Sequence, residues 1–483
     1  MKISNVLNYI GGKWSETRET MPNLNPATGE LICQIPSSQA SDGSKAIEAA
    51  THAFETWSKT TLKERADLLE RLASEIERNF QEFCELECLD TGKPFSLCRE
   101  LDIPRAISNL RFFSQAIQQN NTDFFNTPNG FSYSIRQPLG VVSLITPWNL
   151  PLYLLTWKLA PALAMGNTVV AKPSELTPLT ANRLAQAFHD IKAPAGIFNV
   201  VHGLGPKIGE PLVKHPLVKA VSFTGGTVTG RRVSQLTSES FKKTSLEMGG
   251  KNPTVVFSEC DMDKAVKGVA RSSFLNQGQI CLCGSRIYVE KNIYKKFLER
   301  LVEEVKSWKM GDPTDMTTQF GSLISSAHRD KIEKYVTLAQ EEGGRIVLGG
   351  QKPTLSGNNA NGFFYPPTII ADLPDTCRTA QEEIFGPVVT IHAFESESEV
   401  IESCNHLNYG LSASIWTENL NRAHRVAHLI QAGTVWVNTW LMRDLRVPFG
   451  GVKDSGVGRE GGKLSLEFFS ETKTVCINTG EHL

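Results

Sequence analysis

The sequence predicts an α/β protein built on a doubly wound parallel sheet. Short apolar runs alternate with helical stretches between Gly140 and Phe223, and this alternation is typical of a parallel sheet covered by helices on both faces. Polar or glycine-containing motifs follow the predicted strands at Asn149, Lys172 and Gly225, where ligands of such sheets bind. With 483 residues, the chain is too long for one core, so two or three domains are expected.

Three helical regions are predicted between residues 46 and 119, and residues 1–40 are predicted to form short strands and loops. Apolar residues recur on one face in 46–57 and in 62–88, and a third helical region spans 102–119. The segment 120–130 is polar and turn-prone. Apolar and polar residues then alternate from 131 to 136, which predicts a half-exposed strand.

Two blocks of alternating strands and helices follow. In the first block the predicted strands are 141–145, 168–171, 197–201 and 220–223, and the helices are a stretch ending near 165 and 178–191. In the second block, after Gly250, the strands are 254–257, 286–289, 345–348, 388–391 and 412–416, and the helices are 293–308 and 327–342. A last strand is predicted at 472–477.

A cysteine and a glutamate are the candidate catalytic residues. Cys281 lies in the short polar segment 276–286, directly before an apolar strand, and a thiolate there is a strong nucleophile. Glu247 lies among small and apolar neighbours, which tend to raise a carboxyl pKa and suit it to act as a base. Both residues have plainer interpretations, because a lone cysteine is more often a buried apolar residue and a lone glutamate a surface charge. A metal site at Cys281 and Cys283 is not expected, since the sequence offers no second pair of ligands.

Composition bears on partners and compartment. The net charge is −1, which gives no reason to expect nucleic acid or an anionic membrane as a partner. No apolar run approaches the roughly 20 residues of a membrane helix, and the first residues lack the apolar core of a signal peptide. The ten cysteines have no framework of spacings, so reduced thiols in a cytoplasmic compartment are expected.

Six separated motifs together resemble the NAD(P)-dependent aldehyde dehydrogenase superfamily over almost the whole chain. Each motif alone is a weak signal, but all six occur in the order found in that family. The motifs are Thr146-Pro147-Trp148-Asn149, Lys172-Pro173-Ser174-Glu175, Phe223-Thr224-Gly225-Gly226, Leu246-Glu247-Met248-Gly249-Gly250, Gly278-Gln279-Ile280-Cys281 and Glu383-Ile384-Phe385-Gly386-Pro387.

The resemblance implies a fold of three parts. Residues 1–117 and 139–249 would form an NAD-binding domain, and residues 250–450 an α/β catalytic domain. Residues 118–138 and 451–483 would form a small β arm that pairs with another subunit, so a homodimer or homotetramer is expected. The alternative for the arm is a plain surface hairpin.

The cofactor implied by the resemblance is NAD. No Gly-x-Gly-x-x-Gly fingerprint follows these strands, and the segment 223–230 takes its place, with glycines that admit a pyrophosphate at a helix N-terminus. Many relatives have a serine where this chain has Gly226, so one hydroxyl donor is lost. Glu175 would accept hydrogen bonds from the ribose hydroxyls and repel a 2′-phosphate, which favours NAD over NADP. The predicted cofactor contacts are Thr146, Trp148, Lys172, Ser174, Glu175, Phe223, Thr224, Gly225, Gly226, Met248, Gly249, Glu383 and Phe385.

A second glycine-rich segment lies near the C-terminus. Gly456, Gly458 and Gly461 have the spacing of a dinucleotide fingerprint, but no apolar strand leads into them. We therefore interpret this match as chance.

The chemistry implied by the resemblance is the oxidation of an aldehyde to a carboxylic acid. The Cys281 thiolate would attack the aldehyde, while the Asn149 side-chain amide and the Cys281 backbone N–H would bind the oxyanion. Hydride transfer to NAD would leave a thioester, and Glu247 would activate the water that hydrolyses it. Loss of Asn149 is expected to cost about 10²–10³ in rate, as for other oxyanion donors. Cys283 is interpreted as a packing residue rather than a redox group.

The substrate is predicted from segments around two arginines. These segments resemble one branch of the family, the 2-aminomuconate and 2-hydroxymuconate semialdehyde dehydrogenases. In that branch the arginines that match Arg105 and Arg443 bind the substrate carboxylate, a task that suits a bidentate guanidinium. The alternative is that the two arginines pair with local acids such as Asp102 and Asp444.

Three hypotheses for the function remain. The first is NAD-dependent oxidation of 2-aminomuconate 6-semialdehyde, or 2-hydroxymuconate semialdehyde, in tryptophan (kynurenine) or aromatic catabolism. The second keeps this chemistry but takes a neutral or cationic aldehyde, such as retinal or betaine aldehyde. The third is a catalytically silent structural or binding protein on the same fold, and the intact Cys281, Glu247 and Asn149 count against it.

Overall fold

The computed structural model describes residues 3–119 and 121–480. In chain order its strands are β1 (Asn8–Ile10), β2 (Lys13–Ser15), β3 (Thr20–Leu24), β4 (Leu31–Pro36), β5 (Phe124–Thr127), β6 (Gly130–Pro138), β7 (Val141–Ile145), β8 (Thr168–Lys172), β9 (Phe198–Val200), β10 (Val218–Thr224), β11 (Lys243–Glu247), β12 (Asn252–Val256), β13 (Gly284–Glu290), β14 (Arg345–Leu348), β15 (Thr368–Ala371), β16 (Val388–Phe394), β17 (Tyr409–Gly410), β18 (Ser412–Trp416), β19 (Thr434–Val437), β20 (Val452–Lys453), β21 (Gly456–Val457) and β22 (Ser470–Asn478). Its α-helices are α1 (Ala40–Trp57), α2 (Leu62–Arg78), α3 (Phe80–Thr91), α4 (Phe95–Leu97), α5 (Ile103–Ala116), α6 (Pro151–Ala164), α7 (Leu179–Asp190), α8 (Glu210–Lys214), α9 (Thr227–Ser238), α10 (Met262–Phe274), α11 (Tyr294–Lys306), α12 (Ser326–Glu341), α13 (Arg378–Gln381), α14 (Glu397–Asn405), α15 (Leu420–Leu429) and α16 (Gly462–Phe468).

The larger of the two main sheets has eight strands in the order β2-β1-β9-β8-β7-β10-β11-β21. The central strands from β9 to β11 are parallel to their neighbours, while β1 and β21 pair antiparallel on either side. Helices α1, α6, α7 and α9 contact this sheet. The predicted doubly wound parallel sheet is therefore confirmed.

The second main sheet has seven strands in the order β14-β15-β16-β13-β12-β18-β19. Its neighbours are parallel, except β14, which pairs antiparallel with β15. A core that includes Phe274, Ile287 and Phe297 joins this sheet to α10 and α11. The second α/β block predicted after Gly250 is thus a sheet with its own core.

A smaller antiparallel sheet has the strand order β22-β6-β5. The two long strands β22 and β6 pair along their whole length, which confirms the strands predicted at 131–136 and 472–477. β5 lies at the edge, and on it the side chains of Phe124 and Phe125 are each 59% exposed.

The helix predicted from 62 to 88 is two helices in the structure. α2 ends at Arg78 and α3 begins at Phe80. Between them Asn79 leaves the helical conformation, with φ −104° and ψ 27°, and its Nδ2 donates to the Glu75 carbonyl at 2.9 Å. The single-helix prediction was wrong because an asparagine side chain competes with backbone donors for a carbonyl.

Helix α6 is apolar and buried along almost its whole length. It packs against α5 and α2, so it is a core helix. Within the described residues, no helix combines the length and the apolar composition needed to cross a membrane.

The strand ends of the two main sheets surround one cleft. In the first sheet β7, β8, β10 and β11 run into the predicted ligand motifs at their carboxyl ends. In the second sheet the segments that face the cleft precede strands: 275–283 leads into β13, and 382–387 leads into β16. Because β13 and β16 are parallel neighbours, these two segments lie side by side.

Candidate active site

The predicted nucleophile lies in a tight loop at the amino end of β13. A short 3-10 turn, Leu275–Gly278, precedes Cys281. Residues 276–278 have φ values of 52°, 56° and 68°, so the chain turns through three consecutive left-handed residues. At Gly278 a side chain is excluded as well, because its Cβ would lie 2.2 Å from the Gly386 carbonyl oxygen. The close contact sets the Cys281 loop directly against the segment that leads into β16.

Hydrogen bonds from two distant side chains hold the backbone of this loop. Asn252 Nδ2 donates to the carbonyl oxygens of Cys281 and Cys283, at 2.7 and 2.9 Å. Trp440 Nε1 donates to the Leu282 carbonyl at 2.9 Å. The backbone around Cys281 is therefore fixed by partners from two other parts of the chain.

The pKa of the Cys281 thiol is raised. Burial is the main cause, the nearby carboxyls of Glu247 and Glu383 add to it, and the Arg443 charge opposes it. Such a thiol is protonated at neutral pH, so a base must take its proton before the sulfur can attack. Cys283 is buried, and burial raises its pKa to about 12, as expected for a packing residue.

Glu247 ends β11 and is buried. Neither of its carboxyl oxygens has a hydrogen-bond partner among the described residues. Burial, and after it the charge of Glu460, raises the pKa of Glu247 well above its ordinary value. A Cβ on Gly450 would lie 2.7 Å from Glu247 Oε1, so a glycine at this position leaves the carboxyl its space. A carboxyl in this state can exchange a proton with a thiol or with water.

The C-terminal glycine-rich segment lies beside Glu247. β21 pairs antiparallel with β11, and Gly456 is the partner of Glu247. The Met248 N–H donates to the Ser455 carbonyl at 2.9 Å. These glycines therefore form an edge strand that borders the candidate base.

A buried ion pair lies near the same carboxyl. Lys158 Nζ is 2.5 Å from Glu460 Oε1 and 3.0 Å from Ser222 Oγ. The two charges act in opposite directions, since Glu460 raises the pKa of Glu247 and Lys158 lowers it. The protonation state of Glu247 is thus tuned by a pair that sequence reasoning did not single out.

Asn149 follows β7 and contacts the nucleophile loop. Its Nδ2 donates to the Gln279 carbonyl at 2.8 Å, which uses one of the two amide hydrogens. Its own carbonyl accepts hydrogen bonds from Lys93 Nζ at 2.8 Å and Asn276 Nδ2 at 3.1 Å. Among the described residues, the backbone N–H of Cys281 has no acceptor. One amide hydrogen of Asn149 and this N–H are available for an oxyanion.

One cleft of about 700 Å³ brings the predicted cofactor contacts together. Within it the hydroxyls of Thr146 and Thr224 are buried without a partner in the described part of the chain, which suits a polar ligand. The predicted residues that line it are Thr146, Trp148, Lys172, Ser174, Glu175, Phe223, Thr224, Gly225, Gly226, Met248, Gly249, Glu383 and Phe385, together with Asn149, Glu247 and Cys281.

A helix N-terminus borders this cleft. α9 begins after Gly226, which is its N-cap residue, and such an end favours an anionic group such as a pyrophosphate. A Cβ on Gly225 would lie 2.5 Å from Phe223 Cζ, whereas a Cβ on Gly226 would meet no atom within 4 Å. The first glycine is therefore required by packing, and the second is not.

Lys172 and Glu175 lie on the wall of the cleft and contact each other. The distance from Lys172 Nζ to Glu175 Oε2 is 3.2 Å, and Glu175 is 30% exposed. A partly exposed carboxylate keeps free lone pairs, so Glu175 can still accept hydrogen bonds from ribose hydroxyls.

Glu383 and Phe385 lie at the end of the cleft near Cys281. Glu383 Oε1 accepts a hydrogen bond from the Gly250 N–H at 3.1 Å, and burial raises the pKa of Glu383. Phe385 has a φ of 61°, and its carbonyl is 2.7 Å from His328 Nε2. Its ring packs edge-on against Trp148, with centroids 5.3 Å apart. The end of the cleft near Cys281 is therefore lined by the aromatic rings of Phe385 and Trp148 and by the carboxyl of Glu383.

Arg105 and Arg443 do not line the cofactor cleft but converge on Trp157. Their guanidinium carbons lie 5.5 and 5.6 Å from the centroid of its ring. Arg443 Nη1 donates to Tyr153 Oη at 3.1 Å, and Arg105 Nε donates to Asn109 Oδ1 at 3.1 Å. Burial lowers the pKa of Arg105, and the nearby Arg443 charge lowers it further. Two cations are therefore held close together.

The local acids have other partners. Lys93 Nζ contacts Asp102 at 2.5 Å, and Arg446 Nη2 contacts Asp444 at 2.6 Å. Among the described residues, neither Arg105 nor Arg443 forms an ion pair with a carboxylate. Asp102 and Asp444 thus form their close ion pairs with other cations, although the Asp444 charge still reaches Arg105 and raises its pKa.

Several residues of the site were missed by sequence reasoning. Asn252 follows one of the six motifs, and Trp440 begins the segment around Arg443 that resembles one branch of the family. Nothing in the sequence marks the other three. They act through contacts between distant segments. These five are Lys93, Asn252, His328, Lys331 and Trp440.

A doubly wound sheet whose ligand cleft ends at a partly buried thiol and a buried carboxyl fits one class of protein, the nicotinamide-dependent oxidoreductases. Comparison with known proteins identifies the family within this class. The model of the aldehyde dehydrogenase family matches residues 14–475, and the chain belongs to this family. It is an NAD-dependent aldehyde dehydrogenase.

Individual relatives cover nearly the whole chain. The 2-aminomuconic semialdehyde dehydrogenase of Bos taurus is 46% identical over 474 residues, which are 97% of each chain. The 2-hydroxymuconic semialdehyde dehydrogenase of a Pseudomonas species is 45% identical over 484 residues, 98% of this chain and 100% of that one. The solved NAD⁺ complex of an aldehyde dehydrogenase from Bacillus cereus superposes with a TM-score of 0.96 at 35% identity, over 99% of this chain and 97% of that one.

Proposed function

We propose that this enzyme oxidises 2-aminomuconate 6-semialdehyde, or 2-hydroxymuconate semialdehyde, to the dicarboxylic acid with NAD. Both aldehydes carry a carboxylate at the end of the chain opposite the aldehyde. The names of the two relatives above support this substrate class. The reaction would then belong to the breakdown of tryptophan, through the kynurenine pathway, or of aromatic compounds.

The observation that carries the proposal is the pair of arginines without an acid partner. Arg105 and Arg443 share Trp157, and the acids nearest in sequence pair with other cations. A partly buried cation without a counter-ion is costly, and a bidentate carboxylate would neutralise this pair. The Arg443 charge also lowers the pKa of both Cys281 and Glu247, which places the guanidinium within electrostatic reach of the candidate catalytic groups.

In the proposed mechanism, Cys281 and Asn149 carry the first half of the reaction. Glu247 accepts the thiol proton, and the Cys281 sulfur then bonds to the aldehyde carbon. The free amide hydrogen of Asn149 and the Cys281 backbone N–H bind the oxygen that becomes negative. When bound, NAD supplies the acceptor for the hydride that leaves this carbon, and the carbonyl re-forms as a thioester on Cys281.

The second half of the reaction depends on Glu247. Glu247 first releases to solvent the proton that it took from the thiol, and the regenerated carboxylate then removes a proton from water as the water attacks the thioester carbon. The carbon–sulfur bond then breaks, which releases the carboxylic acid and returns the Cys281 thiolate. The space beside Gly450 and the absence of fixed hydrogen bonds leave the Glu247 carboxyl free to serve both steps.

The substrate class is tested with a matched pair of aldehydes, 6-oxohexanoate and hexanal, which differ only in the terminal carboxylate. We expect wild-type kcat/KM to favour 6-oxohexanoate, and we expect Arg105→Met and Arg443→Met each to lower that preference at least about tenfold, since a charge-assisted hydrogen bond contributes about 1.5–3 kcal/mol. NADH formation gives both values. Arg446→Met is the control, because Arg446 is exposed and paired with Asp444.

Two results would contradict the proposal. One is a wild-type enzyme that prefers hexanal, which would favour a neutral substrate such as retinal. The other is an equal loss with both aldehydes in the arginine variants, which would make the arginines general structural residues. Cys281→Ala serves as the blank for NADH formation.

We further infer a homodimer or homotetramer in a reducing, cytoplasmic compartment. The exposed phenylalanines of the edge strand β5 support self-association. All ten cysteines are free thiols, and nine of them are buried or only partly exposed, while Cys476 is exposed. This supports a reducing environment.

A further inference from the structure

A buried lysine links the predicted oxyanion donor to the helix that carries Arg105. Lys93 is fully buried, and its Nζ contacts Asp102 Oδ2 at 2.5 Å and the Asn149 carbonyl at 2.8 Å. A second carboxyl, Glu87, lies 3.8 Å away. Lys93 lies just beyond the end of α3 and lines neither the cofactor cleft nor the Trp157 site.

The two hydrogen-bond partners of Lys93, Asp102 and Asn149, each lie just before a helix that carries residues of the arginine site. Asp102 immediately precedes α5, whose first turn carries Arg105. Asn149 lies just before α6, which carries Tyr153 and Trp157. One ammonium group therefore joins the starting points of the two helices that form the arginine site.

The Asn149 carbonyl is also bound from the nucleophile side. Asn276 Nδ2 donates to it at 3.1 Å, and the Asn149 side chain donates to Gln279 at 2.8 Å. The carbonyl thus has one donor from the Cys281 loop and one from Lys93. Without Lys93, the Asn149 carbonyl would keep only the hydrogen bond from Asn276 in the nucleophile loop.

We propose that Lys93 is a positioning residue that fixes the Asn149 amide relative to the Arg105 helix, and so sets the distance between the reacting aldehyde and the carboxylate of the substrate. The part that concerns Arg105 rests on the proposed function, whereas the part that concerns Asn149 does not. Lys93 is fully buried and does not line the cleft, so in this role it acts through Asn149 and Asp102 rather than by touching substrate or cofactor.

Buried ion pairs are weak stabilisers, which favours a positioning role over a purely structural one. A well-packed apolar group usually serves stability as well as a buried pair does, because removing two charges from water is costly. What the ammonium adds is direction, with separate hydrogens aimed at the carboxylate of Asp102 and the carbonyl of Asn149. The Glu87 carboxyl carries less charge in this cluster, since burial raises its pKa to about 7.

The test uses Lys93→Met, which keeps the length of the side chain and removes its donors. Since this change strands the Asp102 charge, the double variant Lys93→Met/Asp102→Asn is made as well, so that a folded protein without the link is available. Active sites are counted from the NADH burst. kcat and KM are then measured for hexanal and 6-oxohexanoate, beside the melting temperature.

We expect two changes in the Lys93 variants. kcat per active site with hexanal falls about 10- to 100-fold, the range expected when a catalytic group is displaced by a fraction of an ångström to an ångström. The kcat/KM preference for 6-oxohexanoate also falls. In combination with Asn149→Ala the loss in kcat is not additive, because Lys93 acts through Asn149.

An unchanged kcat per active site and an unchanged aldehyde preference, with only a lower melting temperature, would overturn the inference. Additive losses with Asn149→Ala would also overturn it. A different result would contradict the proposed function while leaving the inference on Asn149 open to its own test. In that case Arg105→Met leaves the aldehyde preference unchanged, while the hexanal measurement still decides whether Lys93 positions Asn149.

Discussion

At the scale of single residues, Glu247 combines burial with two carboxyl oxygens that have no partner among the described residues. A buried polar group without a hydrogen bond costs about 1–3 kcal/mol, so this arrangement reduces stability. In an enzyme the same lone pairs are free to take protons. We therefore expect Glu247 to matter for turnover and not for folding.

Replacement of this carboxyl should separate the two halves of the reaction. In Glu247→Gln the shape is kept but no base remains, so the thioester forms slowly and its hydrolysis is slower still. We expect the acyl adduct of hexanal on Cys281 to accumulate, and intact mass spectrometry of the quenched enzyme detects it. The melting temperature should not fall.

Cys281→Ser is the control for this experiment, since without the thiol there is no thioester to accumulate. A Glu247→Gln enzyme that turns over steadily with no adduct would assign deacylation to another group. Glu460, whose carboxyl lies close enough to raise the pKa of Glu247, would then be the next candidate.

The raised pKa of Glu247 also predicts a pH dependence. The base acts only when ionised, and burial moves its pKa well above the ordinary value. Deacylation should therefore rise about tenfold per pH unit below this pKa and level off above it. The Arg443 charge lowers the pKa of Glu247, so Arg443→Met should shift the rising limb to higher pH.

The measurement is the decay of the hexanal acyl-enzyme at a series of pH values, followed by quench and mass spectrometry. Hexanal has no carboxylate, so substrate binding by the arginine does not enter. Arg446→Met should leave the profile in place. A flat profile between pH 6 and 9, or a shift to lower pH in Arg443→Met, would be incompatible with this assignment of the base.

At the scale of elements, strands that are buried on both faces were the easiest to predict. The strand predicted at 141–145 coincides with β7, because an uninterrupted apolar run has no other location in a soluble α/β core. β11 was missed, since Lys243-Thr244-Ser245 opens it with polar residues. α10 was missed as well, although Asp261 caps it by accepting the Lys264 N–H at 3.2 Å.

The N-terminus of α9 offers a prediction at the same scale. Gly226 is its N-cap, and a Cβ there would meet no atom within 4 Å. A serine hydroxyl can bond the exposed N–H groups of the first turn, which stabilises a helix by a few tenths of a kcal/mol relative to glycine. Gly226→Ser should therefore raise the melting temperature slightly and tighten NAD binding, measured by calorimetry.

Gly225→Ala is the contrasting variant, because its Cβ would lie 2.5 Å from Phe223 Cζ. The displaced ring should weaken NAD binding. If both variants bound NAD as the wild type does, the pyrophosphate would not lie at this helix terminus.

At the scale of the whole molecule, the site exists because two sheets present opposite strand ends to one cleft. The sequence shows that motifs follow strands in the first sheet, and the structure brings these predicted cofactor contacts together in one cleft. The sequence does not show that β13 and β16 are neighbours, which is what sets Cys281 beside the 382–387 segment. Long-range pairing of this kind also explains why Asn252 and Lys93 escaped prediction.

The assembly of the protein is the remaining question at this scale, and the β22-β6-β5 sheet makes it testable. β5 is an edge strand with Phe124 and Phe125 each 59% exposed. An exposed apolar edge invites pairing with another chain, and a second copy is the partner that the proposed homo-oligomer supplies.

We expect the double variant Phe124→Ser/Phe125→Ser to have a lower mass in solution than the wild type, closer to the 53.3 kDa of one chain, because the apolar contact no longer offsets the cost of association. Light scattering coupled to size-exclusion chromatography measures this mass. Leu31→Ser is the matched control, since Leu31 is 56% exposed on a different sheet and should leave the mass unchanged. A wild-type protein that runs at 53.3 kDa would show instead that the sheet is a surface hairpin extended by the C-terminal strand, and that its phenylalanines face solvent.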